Sequence, residues 1–154
     1  MLALEASGVA RLALEDAIEY ASSREQFGKK IGVYQAVSHP LADSYTRVEL
    51  SRSLALWAAW CVATGDAQAA IAASAAKAYA GESAVWVCET AIQSLGGIGF
   101  TWEHRLHRLY KRALAIESFG ASSTRLRAEI AASLIEGELP ATEAPDSVAL
   151  TRGG

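Results

Sequence analysis

The sequence is poor in helix-breaking residues and in charge. Its 154 residues include only three prolines, and two of these, Pro140 and Pro145, lie near the C-terminus. Charged residues make up 20% of the chain and hydrophobic residues 51%, a balance that excludes a disordered protein. Alanine, which has the highest helix propensity, is the most abundant residue, with 32 copies. The composition therefore predicts an all-α protein of one domain.

Long apolar runs, a basic excess and paired cysteines are also missing. The longest segments without charge, Ser53–Gly65 and Thr90–Trp102, have 13 residues each, too few for a membrane span. The net charge of -3 argues against nucleic-acid binding, which needs a broad basic face. Cys61 and Cys88 lie far apart in apolar surroundings. We therefore expect two buried thiols in a cytoplasmic protein rather than a disulfide.

Apolar residues recur at steps of three and four, which predicts amphipathic helices. The first expected helix runs from Leu2 to about Gln26 and the second from about Gln35 to Ala63. The third is expected to have Asp66 as its N-cap and to reach about Ser94. A short helix near Trp102–Arg112 and a last helix near Ser122–Ile135 follow. The residues of the second helix that are expected to face inward are Leu41, Tyr45, Val48, Ala55, Ala59 and Val62.

Long helices joined by short turns pack against each other antiparallel. The predicted fold is thus an up-down four-helix bundle with an extra short helix, formed by residues 1–136. Residues 137–154 contain two of the prolines and a closing Gly-Gly pair, and they are predicted to be a flexible tail. The first helical pattern begins without a capping residue, which is typical of a domain that continues from a longer chain.

The glycine-rich segment Gly96-Gly97-Ile98-Gly99 lies between two predicted helices. Trp102 occupies the position where a dinucleotide-binding fingerprint needs its last glycine, and no strand precedes the segment. Two interpretations remain open. The segment is either a bare corner between helices or a stretch of backbone that a ligand approaches closely, with Gln93 adding amide hydrogen bonds.

Two groups of cationic side chains each allow two interpretations. Near the end of the first helix, Arg24 either offers a guanidinium to a phosphate, beside the ring of Phe27, or forms a surface ion pair with Glu25. Arg105, Arg108 and Arg112 share a predicted helical face, which either meets solvent or another subunit or binds an anion. No histidine follows a glutamate at the Glu-x-x-His spacing of a di-iron site, and no metal site is predicted.

Four short sequence segments follow one another along the chain. They are Tyr20-x-x-x-Arg24-Glu25-Gln26-Phe27-Gly28-Lys29-Lys30-Ile31-Gly32, then Tyr34-Gln35-Ala36-Val37, then Ala76-Lys77-Ala78, then Gln93-Ser94-Leu95-Gly96-Gly97-Ile98-Gly99-Phe100. In this order they resemble the C-terminal helical domain of the acyl-CoA dehydrogenase family. The resemblance covers about residues 3–135.

The resemblance implies part of an enzyme that couples α,β-dehydrogenation of an acyl-CoA thioester to the reduction of FAD. It implies that FAD lies at a subunit interface of a homo- or hetero-oligomer, a dimer or a tetramer. The residues that match the flavin contacts of the family are Arg24, Phe27, Gln35, Gln93, Gly96 and Gly97.

The position of the catalytic base departs from the family pattern. Members with a late base carry a glutamate directly before a glycine, whereas Phe119 precedes Gly120 here and cannot take a proton. Glu117 lies two positions before Phe119 and is the one substitute close to this position. Other members of the family place the base at a position that would precede Met1. No catalytic residue is therefore assigned. The alternative to a working dehydrogenase is a structural subunit of a hetero-oligomer, without a base of its own.

Overall fold

The computed structural model describes residues 1–137, which form an up-down bundle of α-helices. The helices are α1 (Leu2–Ser23), α2 (Gln35–Thr64), α3 (Ala69–Leu95), α4 (Leu106–Ser118) and α5 (Ser123–Ile135). A two-stranded antiparallel hairpin, β1 (Glu25–Gln26) and β2 (Lys29–Lys30), joins α1 to α2. The predicted fold class is confirmed. Apart from Gly137, the predicted flexible tail, residues 137–154, lies outside the described residues.

Contacts between pairs of residues that lie in different helices, or directly next to them, show the directions of the helices. They are Asp16 with Arg105, Glu5 with Arg112, Ala78 with Ser123 and Glu82 with Arg127. The first two pairs make α4 antiparallel to α1, and the last two make α5 parallel to α3. Short connections join α1 to α2 and α2 to α3, so α1 and α3 end where α2 begins. We call this end of the bundle the hairpin end.

Small side chains build most of the core. Alanines of α1 and α3 pack with Leu14, Val87, Leu106 and Ile116 in the main cluster, which also contains Cys88. A smaller cluster of Ala58, Cys61, Ala72 and Ala76 lies at the opposite end of the bundle, where Ala3 packs against it. Both thiols are free and buried, as predicted.

The buried face of α2 differs from the prediction. Its buried residues follow steps of three and four, and they are Leu41, Ser44, Val48, Ser51, Ala55, Ala58 and Cys61. Ser44 and Ser51 tolerate burial because each hydroxyl donates to a carbonyl one turn earlier, that of Pro40 or Arg47. Tyr45, Ala59 and Val62 are exposed, and their predicted inward orientation is wrong.

Three predicted helix boundaries also need correction. α1 ends at Ser23 rather than at Gln26, because the hairpin begins at Glu25. Asp66 does not cap α3 directly: its carboxylate accepts from the backbone N–H of Gln68 at 2.7 Å, and this closes the turn before Ala69. The fourth helix begins later than predicted and extends to Ser118.

Candidate functional site

The hairpin presents an aromatic side chain on a conformationally restricted turn. Glu25 pairs with Lys30 and Gln26 with Lys29, which leaves Phe27 and Gly28 as the two turn residues. Both have positive φ, 53° and 75°, as the turns of tight hairpins require. A positive φ is uncommon for an aromatic residue. Phe27 is nevertheless 92% exposed, so its ring is presented to a solvent-facing surface instead of the core.

Arg24 lies at the junction between α1 and the hairpin. Its backbone is extended, its N–H donates to the carbonyl of Tyr20, and its own carbonyl accepts from Ile31. The predicted alternative, an ion pair with Glu25, does not form, and within residues 1–137 the Arg24 guanidinium has no carboxylate partner. Its side chain is exposed, so the cation is available to an external anion.

Of the three glycines after α3, the fold requires glycine at two, Gly96 and Gly99, and not at Gly97. Gly96 has φ 62° and ψ -134°, which only glycine adopts readily. A Cβ on Gly99 would lie 2.7 Å from the carbonyl oxygen of Ile92, so packing requires glycine there. Gly97 has neither constraint: its φ is not positive, and a Cβ would meet no atom within 4 Å. Its open backbone is accessible from outside the chain.

The structure brings the predicted contact residues to one end of the bundle. Arg24 and Phe27 follow α1, Gln35 is the first residue of α2, and Gln93 to Gly97 end α3. Gln35 and Gln93 are exposed. The predicted contact residues therefore bring one cation, two amides, an exposed ring and an open stretch of backbone to the hairpin end. These groups fit a ligand with a charged phosphate and a flat apolar part.

The loop between α4 and α5, which contains Phe119, is held to α3 by hydrogen bonds. The Lys77 ammonium donates to the carbonyls of Glu117, at 2.8 Å, and of Ala121. The Glu117 carboxylate accepts from the backbone N–H and the hydroxyl of Ser123, at 2.8 and 2.7 Å. Phe119 projects outward and is 69% exposed. The sequence presents Lys77 only as part of a motif, because its two acceptors lie 40 and 44 positions away in the chain.

The predicted basic face is divided by ion pairs. Arg105 lies just before α4 and binds Asp16, a carboxylate that is only 8% exposed. Arg112 binds Glu5 and lowers the pKa of that carboxyl. Two of the three arginines therefore connect α4 to α1. Arg108 forms no ion pair within the described part of the chain.

Trp102 lies between two basic side chains near the start of α4. The rings of Trp102 and His107 meet edge to face, with centroids 4.6 Å apart, and the Lys111 ammonium lies 4.4 Å from the Trp102 ring centre. Both ring nitrogens of His107 are buried, and neither has a hydrogen-bond partner among the described residues. Burial, together with the charges of Lys111 and Arg108, lowers the pKa of His107.

A large open cavity lies at the end opposite the hairpin. Its volume is about 630 Å³, and α1, α2 and α3 line it with residues that include Leu2, Ala55, Val62 and Lys77. Its walls are apolar except for Lys77, and none of the predicted contact residues lines it. Within residues 1–137 there is no group of three side chains suited to a metal ion. No helix in that range is long and apolar enough to cross a membrane.

Comparisons with known proteins identify relatives of the whole described bundle. Residues 1–135 match the family model described as acyl-CoA dehydrogenase, C-terminal domain. The acyl-CoA dehydrogenase FadE34 of Mycobacterium tuberculosis is 44% identical over 126 residues, which are 81% of this chain and 18% of that protein. The chain thus spans less than a fifth of that relative.

Solved structures agree with the sequence comparison. Butyryl-CoA dehydrogenase from Megasphaera elsdenii superposes with a TM-score of 0.82 at 30% identity, over 87% of this chain and 35% of that one. A structure described as PigA with FAD and proline gives a TM-score of 0.82 at 31% identity, over 86% of this chain and 34% of that one. In both cases the chain covers about a third of the larger molecule.

Proposed function

The chain belongs to the acyl-CoA dehydrogenase family, and we propose that it is the C-terminal domain of an FAD-dependent enzyme of this kind. In this proposal it contributes contacts to FAD and surface to the oligomer. The observation that carries the proposal is that Arg24, Phe27 and Gly97 lie at the hairpin end of the bundle and that all three are exposed.

The residues of the hairpin end fit FAD. Arg24 has a free guanidinium, which suits the pyrophosphate, because its planar fork matches two phosphate oxygens. Gly96 and Gly97 allow the ligand to approach the backbone, and Gln35 and Gln93 supply amide donors and acceptors. Phe27 offers a flat apolar surface. When bound, FAD supplies the acceptor for the electrons removed from the acyl-CoA thioester.

Within this proposal, Glu117 has a structural role and is not the base. Its carboxylate accepts two hydrogen bonds from Ser123 at the start of α5, where the helix dipole favours a negative charge. A base must reach the proton that it removes, and a carboxylate bound in this way is directed into the bundle. We therefore do not assign Glu117 as the general base, and no other residue of this chain is assigned to that role.

One observation favours the alternative, a structural subunit without a base in a hetero-oligomer. Phe119 is exposed at the tip of a loop that Lys77 and Glu117 hold in place. Hydrogen bonds thus hold the loop between α4 and α5 in place although it contains no aspartate or glutamate. The two candidates differ in the upstream coding sequence. A β-domain in frame, followed by a glutamate just before Met1, supports the working dehydrogenase.

Flavin binding tests the proposal. We expect this chain alone to fold but to elute from gel filtration without FAD, because the other domains of the enzyme supply most of the flavin contacts. Production together with the upstream region should give stoichiometric FAD by absorbance. A complete protein that never binds flavin would contradict the proposal, and stoichiometric flavin on this chain alone would contradict the assigned division of contacts.

A further inference from the structure

The turn of the hairpin carries backbone strain at Phe27. Within residues 1–137, Phe27 is the only residue other than glycine with a positive φ, 53°. In this left-handed region the Cβ crowds the carbonyl oxygen that follows, so aromatic residues rarely occupy it. Neither burial nor the strands offset the strain, because the ring is 92% exposed and each strand has only two residues. Another part of the chain must therefore hold Phe27 in place.

The side chain of Tyr34 contacts this turn in two ways. Its hydroxyl donates to the carbonyl of Gln26, the residue before Phe27, at 3.1 Å. Its ring meets the Phe27 ring edge to face, with centroids 6.5 Å apart and planes at 88°. Aromatic pairs favour this arrangement, which contributes beyond the area that it buries. Tyr34 thus fixes both the backbone that enters the turn and the ring that the turn presents.

The backbone of Tyr34 is itself anchored to two helices. Tyr34 follows a short 3₁₀ turn, Ile31–Val33, and directly precedes α2. Its carbonyl accepts from the backbone N–H of Ser38, at 2.9 Å, within the first turn of α2. The 3₁₀ turn lies so close to α1 that a Cβ on Gly32 would be only 3.0 Å from the carbonyl oxygen of Ala21. The side chain of Tyr34 therefore connects the strained turn to the body of the bundle.

We propose that Tyr34 is a positioning residue of the flavin site, which holds Phe27 in the orientation that meets the ligand. The role is indirect, because the hydroxyl and the ring of Tyr34 act on the hairpin. Gln35 is the next residue in the chain, so the same anchor also places the first amide of α2. The inference rests on the proposed function and identifies a residue on which its contacts depend.

The physical reason for this role is preorganisation of the turn. Without the Tyr34 hydroxyl, the turn can relax away from positive φ, and the Phe27 ring then leaves its present orientation. FAD would have to restore the strained turn when it binds, and this cost lowers its affinity. The loss of one neutral hydrogen bond corresponds to about a three- to tenfold weaker affinity.

Hydrogen exchange of single amides, followed by NMR, tests the hairpin of the 154-residue chain without flavin. Tyr34→Phe keeps the ring and removes the hydroxyl. The Ile31 amide donates to the carbonyl of Arg24 at 2.9 Å, and it should exchange about fivefold faster in this variant. Tyr110→Phe is the matched control, since it removes a 3.0 Å hydrogen bond from a tyrosine hydroxyl to Glu89. It should leave the Ile31 amide unchanged, and an equal exchange rate in the wild type and Tyr34→Phe would overturn the inference.

The FAD affinity of the complete enzyme tests the functional half of the inference. Tyr34→Phe should raise the dissociation constant of FAD by about three- to tenfold, whereas Tyr110→Phe should leave it unchanged. In a Phe27→Ala background, Tyr34→Phe should have no further effect, because Tyr34 acts through the Phe27 ring. Additive effects of the two changes would show that Tyr34 does not position Phe27, and they would overturn the inference.

The proposed function and this inference can fail separately. If Arg24→Ala and Phe27→Ala both leave FAD affinity unchanged, the assigned flavin site is wrong, and the inference is overturned with it. If these two variants weaken FAD binding and Tyr34→Phe does not, only the inference is overturned. Circular dichroism checks that each variant remains helical.

Discussion

Glu117 and Gly81 fit together so closely that the carboxylate of Glu117 occupies the space of the side chain that Gly81 lacks. Gly81→Ala should displace the carboxylate from Ser123 and lower the free energy of unfolding by about 1–3 kcal/mol. Urea unfolding followed by circular dichroism measures the change. Gly8→Ala is the control, since a Cβ there meets nothing within 4 Å in an exposed part of α1. It should stabilise the chain slightly, and equal effects of the two variants would contradict the argument.

Lys77 holds the loop between α4 and α5 through two carbonyls. Lys77→Met keeps most of the apolar stem but removes both charge-assisted hydrogen bonds, so we expect a loss of about 2 kcal/mol. The loop should also become sensitive to chymotrypsin after Phe119, which is exposed but held in place. Lys30→Met in the exposed hairpin should change neither property. A loop that stays resistant in Lys77→Met would show that other contacts hold it.

Substitutions of Arg24 in the complete enzyme test whether this residue contacts FAD. Arg24→Ala should remove a charge-assisted bond worth about 1.5–3 kcal/mol, which corresponds to about a 10- to 150-fold weaker affinity for FAD. Arg24→Lys should recover only part, because an ammonium lacks the planar fork. Arg11→Ala removes an exposed ion pair with Glu15 and serves as the control. Unchanged FAD affinity in Arg24→Ala would place Arg24 outside the flavin site.

Gly97 and Gly99 form a matched pair two positions apart. Gly99→Ala should destabilise the bundle, because its Cβ would lie 2.7 Å from the carbonyl oxygen of Ile92. Gly97→Ala should leave the free energy of unfolding within about 0.5 kcal/mol of the wild type, since its Cβ meets no atom of the chain. In the complete enzyme the same Gly97→Ala change should weaken FAD binding. An unaffected FAD affinity would mean that no ligand approaches this backbone.

His107 should make stability depend on pH. Burial and the nearby cations lower its pKa in the folded chain, so the unfolded chain takes up a proton first as the pH falls. The contribution of neutral His107 to the free energy of unfolding is fully present above the ordinary histidine pKa of about 6.5. It is lost as the pH falls from there towards the lower pKa that His107 has in the folded chain. Urea unfolding at about pH 7.5 and about pH 5.5 measures this. His107→Gln should lose less stability between these two conditions than the wild type, and an equal loss would contradict the assignment.

The helices were predictable because alanine-rich segments with apolar steps of three and four have few alternatives. The hairpin was not, because its strands have only two residues each and its turn is Phe27-Gly28. The usual sequence signal for such a turn is asparagine or aspartate before glycine. Apolar spacing predicts an inward Tyr45, whereas the structure buries its neighbour Ser44, whose hydroxyl donates to the carbonyl of Pro40.

Contacts between distant parts of the chain account for most of what the sequence did not predict at the site. Spacing predicts that Arg105 shares a face with Arg108, yet Arg105 binds Asp16, which lies 89 positions away. Helical spacing predicts neighbours on one helix but not partners on another. The positions of Arg24, Gln35 and Gln93 were supplied by the family resemblance, and their meeting at one end follows from the directions of the helices. Their role in binding flavin stays a prediction.

The two buried thiols lie in different parts of the core, Cys88 in the main cluster and Cys61 in the smaller one. Burial raises the pKa of Cys88 to about 12, so this thiol is protonated and unreactive while the fold is closed. A thiol reagent can reach either residue only when its own cluster opens. The chain therefore carries two natural reporters of local opening, and their labelling rates would show whether the two ends of the bundle unfold together.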